Sequence, residues 1–164
     1  MELRATVTTK GKIFEGKAPE IVQDALKGAM YEAVALLKRE VKALTPTGVF
    51  GVSGGLVSTI HGEVLEMGKK GIIGHGSPYG DVIEMGRRPG QKWPPEGVLE
   101  RWIEKKIGAS GESVKGIEFL IRRKIGRKGF PGVHMFEKAF KANYGKLVDI
   151  FQRAGFKITR EINE

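Results

Sequence analysis

The longest regular pattern of apolar positions lies near the N-terminus, between residues 19 and 44. Apolar residues recur there at steps of three and four, with charged residues between them. This spacing predicts an amphipathic α-helix whose apolar stripe packs on a sheet. Pro19 suits a first helical turn, and Pro46 limits the helix at its other end. The stripe consists of Val22, Leu26, Ala29, Ala33, Leu37, Val41 and Leu44.

Shorter patterns surround this helix. Residues 2–14 alternate between apolar and polar side chains, which predicts a half-buried strand. A glycine-rich segment then predicts a loop that leads into an apolar strand at residues 56–60, and residues 62–76 are typical of a β-hairpin with its turn near Lys69. The segment YGDVIEMG, residues 79–86, fits a short strand or a helical turn.

The composition changes after Arg87. Residues 87–128 hold twelve Lys and Arg against five Glu. Apolar spacing there predicts two short helices, over residues 96–107 and 112–125, separated by the sequence GASG. A last amphipathic helix is expected from Val133 to Ala154. The two-residue alternation beyond it predicts a final strand.

Composition limits the classes of function. A chain of 164 residues is long enough for one domain with a real core. No cysteine is present, which excludes disulfides, thiol catalysis and cysteine-ligated metals. No apolar run reaches signal-peptide or membrane-span length, so we expect a protein that stays in a cytoplasm-like compartment. The net charge of +9 indicates a polyanion or a strongly acidic protein as partner.

The side chains that usually carry catalysis are scattered. His61, His75 and His134 share no metal-ligand spacing and are interpreted as ordinary loop or surface histidines. Asp81 and Glu84 are close together but lack a neighbouring nucleophile or metal-ligand set. The glycine series near residue 50 lacks the phosphate-loop sequence. We therefore expect no catalytic, metal or cofactor site and no small-molecule substrate.

Two features remain as candidates for contact with partners. The first is the basic run, the cluster of Arg and Lys residues between Arg122 and Lys128. It favours contact with a polyanion, although a solvated helix face would have the same composition. DNA contact here would be directed at the backbone and would lack sequence preference. The second feature is the pair Trp93 and Trp102, which could either anchor the core or contact another subunit. The candidates for contact with DNA or with an acidic partner are Arg122, Arg123, Lys124, Arg127 and Lys128.

Several short motifs follow one another along the chain. Thr47 and Gly48 precede the apolar residues 56–60, and Phe130 and Pro131 precede the apolar residues 135–140. Between these pairs lies a Tyr-x-x-x-Ile-Glu-x-Gly element, made of Tyr79, Ile83, Glu84 and Gly86. In this order the chain resembles the tail-completion, or head–tail joining, family of long-tailed bacteriophages, which includes minor tail protein Z. The resemblance covers roughly residues 18–155. Residues 49–55 and 93–129 are longer than the family pattern.

This resemblance implies an α+β fold, in which an antiparallel sheet is flanked by the long N-terminal helix and the C-terminal amphipathic helix. The basic segment at about 87–130 would be an insertion with short extra helices in a single domain. The family pattern also favours a core strand for residues 79–86. Candidate subunit contacts are Phe50, Glu84, Arg87, Arg88, Trp93 and Trp102.

The resemblance further implies a structural virion protein without enzymatic activity. Such proteins form homo-oligomeric rings, commonly sixfold, at the head–tail junction after assembly in the host cytoplasm. Their neighbours would be head-side connector or stopper proteins and the tail tube or terminator, with genomic DNA in the channel and no membrane. The alternatives are a tail terminator ring of the same region and, from another class, a nonspecific DNA-binding protein or small nuclease.

Charge reversal tests the basic run. Replacing Arg122, Arg123, Arg127 and Lys128 by Glu is expected to impair assembly or DNA retention while the monomer stays folded, because the cations would face DNA or an acidic neighbour. Infectivity of particles that carry the quadruple variant measures this effect. Normal infectivity would contradict it.

Overall fold

The computed structural model describes residues 16–48 and 55–163. The strand expected at residues 2–14 and the candidate contact Phe50 lie outside these ranges. About 67% of the described residues are helical, and the remainder includes two small antiparallel sheets. The α+β class expected from the sequence is therefore confirmed, with a long N-terminal helix and a long C-terminal helix.

Ten elements follow one another in the described chain. Helix α1 matches the N-terminal helix expected from apolar spacing, and the expected hairpin is formed by β1 and β2, joined through a 3₁₀ turn at Glu66–Gly68. Strand β3 pairs with β4 in the register Gly86 opposite Pro131 and Arg87 opposite Phe130. The elements are α1 Ala18–Leu44, α2 Gly55–Thr59, β1 Ile60–Leu65, β2 Lys70–His75, α3 Gly80–Met85, β3 Gly86–Arg87, α4 Glu100–Ile107, α5 Glu112–Lys128, β4 Phe130–Pro131 and α6 Met135–Asn163.

The chain divides into two compact units. The described part of the first unit comprises residues 16–38, 62–73 and 142–163, and that of the second comprises residues 39–48, 55–61 and 74–141. The first unit therefore contains most of α1, most of the β1–β2 hairpin and most of α6. The second contains α2 to α5, the small β3–β4 sheet and the beginning of α6.

The core of the first unit lies between α1 and α6. Ala29 and Ala33 of α1 are buried in one cluster with Leu147, Ile150 and Ala154 of α6. Alanines on both helices leave room for the larger side chains opposite them, so the two helices interlock closely. An exposed ion pair between Arg153 and Glu32, 2.7 Å apart, spans the same two helices and adds little stability.

The hairpin approaches α1 through two glycines. A Cβ atom at Gly62 would lie 2.6 Å from Val34 Cγ1, and one at Gly71 would lie 2.7 Å from Val34 Cγ2. Side chains at these two positions would therefore push the hairpin away from the helix. Ala29 and Ala33 of the predicted apolar stripe thus pack on α6, whereas the hairpin packs on Val34 beside the stripe. The spacing alone predicted that the stripe packs on a sheet.

Two segments expected to be strands are helical. The segment expected as a strand at residues 56–60 forms α2, and only Ile60 belongs to β1. Adjacent residues of a strand point to opposite faces, whereas Leu56 and Val57 are both buried, which a helical turn permits. The family-like segment that we expected to be a core strand forms α3, so of the two structures that its sequence allowed it adopts the helical turn.

The C-terminal strand expected from two-residue alternation is also wrong, because α6 continues to Asn163. Ala154 is buried, and Ile158 and Ile162, at the next two steps of four, are partly buried, so the helical period persists beyond Ala154. Phe156, which the alternation assigned to a buried face, is 77% exposed. The hydroxyl of Thr159 donates a hydrogen bond of 3.0 Å to the carbonyl of Gly155 one turn earlier.

The two helices of the basic segment exist with shifted limits. Helix α4 begins at Glu100 rather than near residue 96, and α5 extends to Lys128 rather than to residue 125. Gly108 ends α4 in the left-handed conformation with φ of 74°. The N–H of Gly129 donates to the carbonyl of Ile125 over 2.8 Å and ends α5.

The α1–α6 core can be tested with one enlarged side chain. We expect Ala33→Leu to lower the free energy of unfolding by about 1–3 kcal/mol, because the buried site has no room for three more carbons. Urea denaturation followed by circular dichroism measures the change. Ala43→Leu, the same substitution at an exposed position of α1, serves as control and should change stability by less than about 0.5 kcal/mol. Equal effects at both positions would contradict the core assignment.

Candidate functional site

The structure brings together two of the motifs on which the family resemblance rests. The Tyr-x-x-x-Ile-Glu-x-Gly element forms α3 and the first residue of β3, and Phe130 and Pro131 form β4, which pairs with β3. Past the pairing, the N–H of Val133 donates to the carbonyl of Ile83 over 2.9 Å, and that of His134 donates to the carbonyl of Glu84 over 3.1 Å. The two motifs therefore form one backbone-bonded junction.

Glycines allow the two segments of the junction to approach. Gly86 has φ of 74° and Gly129 has φ of 63°, values that side chains disfavour. A Cβ atom at Gly132 would overlap the carbonyl oxygen of Glu84, and one at Gly129 would overlap the carbonyl oxygen of Arg87. A Cβ atom at Gly86, the glycine that ends the family-like motif, would overlap the backbone nitrogen of Gly132 and the carbonyl oxygen of Phe130.

Glu84 caps the N-terminus of α6. Its Oε2 atom accepts a hydrogen bond of 3.3 Å from the N–H of Phe136, and its Oε1 atom accepts one of 3.5 Å from the N–H of Glu137. Since α6 begins at Met135, these are the second and third N–H groups of the helix, which have no partner within it. A capping carboxylate also compensates the positive end of the helix dipole. Glu84, expected as a structural or inter-subunit group, therefore has a role within its own chain.

Charged groups continue around the first turn of α6. The Lys138 ammonium donates to the carbonyl of Val133 over 2.6 Å. A hydrogen bond from Lys141, one turn along, is the main cause of a lowered pKa of the Glu137 carboxyl. Glu137 therefore stays ionised to lower pH than an isolated glutamate. Lys138 thus binds a backbone carbonyl and Lys141 binds Glu137, so these charged side chains have their partners within the first turns of α6.

His75 differs from the surface histidine that the sequence suggested. Its side chain is only 13% exposed, its Nε2 atom lies 3.1 Å from Asp81 Oδ1, and its ring centroid lies 6.1 Å from that of Phe136. A Cβ atom at Gly80 would overlap this ring. Asp81 therefore binds His75 while Glu84 caps α6, so the two carboxylates do not form an acid–base pair. The sequence offered one signal for the contact, a glycine directly before Asp81.

Arg122 fastens the loop before α4 to α5. Its Nε atom donates to the carbonyl of Pro94 over 2.8 Å, and its Nη1 atom lies 3.0 Å from Glu96 Oε1. The buried Glu118, one turn earlier on α5, accepts a hydrogen bond of 3.1 Å from the N–H of Leu99. The Arg122 side chain is only 14% exposed. Arg122 is thus a clamp inside the second unit, unlike its neighbours in the basic run.

Trp93 anchors the same loop. Its ring packs against Phe119 of α5 with a centroid distance of 5.8 Å and an angle of 58°. Its indole lies so close to Gly126 that a Cβ atom there would overlap it. Of the two interpretations of Trp93, the internal anchor is the one that these contacts favour. Trp102 of α4 is 40% exposed beside the fully buried Ile103.

The remaining candidate contacts are distributed around the β3–β4 junction. The Arg87 guanidinium donates to the carbonyl of Lys92, and the N–H of Arg88 donates to Gln91 Oε1 over 3.2 Å, which closes the turn after β3. An open surface depression of about 430 Å³ adjoins this turn. It is lined by Asp81, Val82, Met85, Gly86, Arg87, Gln91 and Lys92.

Four cations form one outer face of α5. Arg123, Lys124, Arg127 and Lys128 are all exposed and follow one another at the spacing of adjacent helical turns. In the part of the chain that the structure describes, none of the four forms an ion pair. Reversing Arg122 together with them would break the clamp, so a test of the surface must leave Arg122 in place.

Neutralising Glu84 tests its capping role. We expect Glu84→Gln to lower the free energy of unfolding by about 1 kcal/mol, because it removes the negative charge at the N-terminus of α6. Urea denaturation measures this loss. Glu104→Gln, at an exposed position of the same unit, is the matched control and should be nearly neutral. A loss no larger than that of the control would show that Glu84 does not stabilise the helix.

Three observations complete the description of the site. Within residues 16–48 and 55–163, no group of three or more His, Asp or Glu side chains is placed to hold a metal ion. No helix in these ranges is both long and apolar enough to span a membrane. Comparisons with protein-family models, curated proteins and solved structures found no match.

Proposed function

We propose that this chain is a structural virion protein of a long-tailed bacteriophage, which forms a homo-oligomeric ring at the head–tail junction around the DNA channel. The proposal follows the motif order of the tail-completion family. It assigns no enzymatic activity. Head-side connector or stopper proteins and the tail tube or terminator would be its neighbours.

The observation that carries the proposal is the junction between α3 and α6. Residues that a family of structural proteins would share are used here for backbone pairing and for a helix cap, through Glu84, Gly86 and Phe130. A catalytic interpretation would require these groups to face a substrate. Their satisfaction within the chain supports a scaffold role.

Exposed apolar side chains support assembly. The basic segment presents five large apolar residues at 40% exposure or more, although a single copy gains nothing from leaving them in water. A head-to-tail contact that buries such residues between copies closes into a ring when its rotation permits. The five residues are Val98, Trp102, Ile107, Phe119 and Leu120.

Two alternatives remain distinct from this proposal. A tail terminator of the same region would also form a ring, and a map of the assembled neck separates the two by position. A small nuclease is disfavoured by the scattered carboxylates of the described residues, since metal-dependent cleavage needs them together. Nicking of plasmid DNA in Mg²⁺ by the purified chain would favour the nuclease instead.

Ring formation can be measured directly. Native mass spectrometry of the purified chain is expected to show one closed oligomer of about six times the 18.0 kDa chain mass. Trp102→Gln should shift the population towards monomer by at least about tenfold, because it places a polar group where an exposed aromatic side chain is an expected anchor. Trp102→Phe, which keeps an aromatic ring, is the matched control and should retain the oligomer.

Two results would contradict the proposal. A strictly monomeric chain at tens of micromolar, together with its absence from purified particles by mass spectrometry, would remove the ring. A particle reconstruction that places the chain away from the head–tail junction would remove the assigned position while leaving oligomerisation intact.

A further inference from the structure

In the last two turns of α5, every exposed side chain is cationic. Arg123 and Arg127 lie one turn apart, as do Lys124 and Lys128, and all four side chains are exposed. The favourable interaction of cations with the C-terminal end of a helix accounts for the two in the last turn, Arg127 and Lys128. It does not account for Arg123 and Lys124. The cluster is therefore larger than helix stability requires.

The contacts of Arg122 keep this face available. Its guanidinium binds Pro94 and Glu96 on the opposite side of α5, so the nearest carboxylate of the loop is neutralised there. Glu118 is likewise buried and hydrogen-bonded to Leu99. The acidic groups of the segment that lie closest to the cluster in sequence are thus held away from it.

The charge density of this face matches that of duplex DNA. At about 1.5 Å of rise per residue, the four cations span about 7.5 Å of the helix axis. This is about one positive charge per 2 Å, against one phosphate per about 1.7 Å of duplex axis. Such a surface can neutralise several adjacent phosphates, and backbone contact of this kind carries no base information.

The structure disfavours an anionic membrane and an acidic protein as partners of this face. A helix on an anionic membrane needs a free apolar face, whereas Val114 is buried and Ile117, Ile121 and Ile125 are at least half-buried within the second unit. Protein interfaces have an apolar centre depleted in charge, whereas every exposed position from residue 121 to the end of α5 is cationic. Phe119 and Leu120, which the proposed ring would bury between copies, lie on the preceding turn. A charged, polar surface is typical of contact with nucleic acid.

We infer that the outer face of α5, through Arg123, Lys124, Arg127 and Lys128, binds the phosphate backbone of duplex DNA without sequence preference. The inference goes beyond ring assembly, because the four residues belong to one helix of one chain. A ring would repeat this surface in every copy and would increase the affinity through multiple contacts.

The experiment measures the salt dependence of binding. The full chain is titrated into a labelled 30-base-pair duplex of mixed sequence, and fluorescence anisotropy is recorded between 50 and 200 mM NaCl. In the variant R123Q/K124Q/R127Q/K128Q, we expect the slope of log K against log salt to become shallower by about 3.6, the value for four lost phosphate contacts. The affinity at 100 mM NaCl should fall by at least about 100-fold.

A matched control separates this surface from net charge. The variant K27Q/K69Q/K70Q/K157Q removes the same four charges from exposed positions of the first unit. We expect its slope to change by less than about 1, because those side chains would touch no phosphate. Native mass spectrometry of all samples records the oligomeric state, so a failure of ring assembly is distinguished from a failure of DNA binding.

Further variants keep the inference testable if the quadruple change harms folding. The pairs R123Q/K124Q and R127Q/K128Q should each remove about half of the slope change, and the charge-conserving R123K/R127K should retain binding. Circular dichroism checks the fold of each.

Four results would overturn the inference. They are an absence of duplex binding by the unmodified chain at 50 mM NaCl, an equal loss in the control variant, competition by polyglutamate as strong as by unlabelled duplex, and competition by anionic vesicles to the same degree. The third would assign the surface to an acidic protein, and the fourth would assign it to a lipid surface.

Discussion

Helix α6 begins on a carboxylate that comes from a distant part of the chain. Glu84 lies 52 residues before Phe136, whose N–H it accepts, and the backbone pairing of β3 with β4 holds it there. An unpaired N–H at a helix start costs free energy, so the cap and the strand pair stabilise each other. The start of α6, the longest helix among the described residues, thus depends on a contact that forms only when both segments fold.

The two carboxylates that lie close together in the sequence, Asp81 and Glu84, have separate partners in the fold. Asp81 binds His75 and Glu84 caps α6, so the two carboxylates are not directed at the same point. The capping contacts of Glu84 are typical of a scaffold residue, whereas the Asp81 side chain is 94% exposed and is separated from Glu84 by its contact with His75. Paired acidic residues in a sequence therefore need a shared target before they indicate a site.

The basic segment shows how neighbouring residues of one type acquire different roles. Arg122 is largely buried and holds the loop that carries Trp93 and Glu96, whereas Arg123 is exposed on the next position of the helix. A rotation of 100° per residue along α5 separates these roles. Composition alone records both arginines as equal contributions to a net charge of +9.

The long helices, the β1–β2 hairpin and the basic segment could be predicted from the sequence, because each consists of many positions that repeat one period or one charge. The α+β class was implied by the family resemblance. The strands predicted at residues 56–60 and after Ala154 were wrong, and for residues 79–86 the sequence allowed both a strand and a helical turn. Residues 56–59 and 80–85 are helical, and the alternation after Ala154 lies within α6, because a few residues fit both periods and burial decides between them. The cap of Glu84 on α6 and the clamp of Arg122 could not be predicted from local pattern, since both contacts join residues 26 or more positions apart.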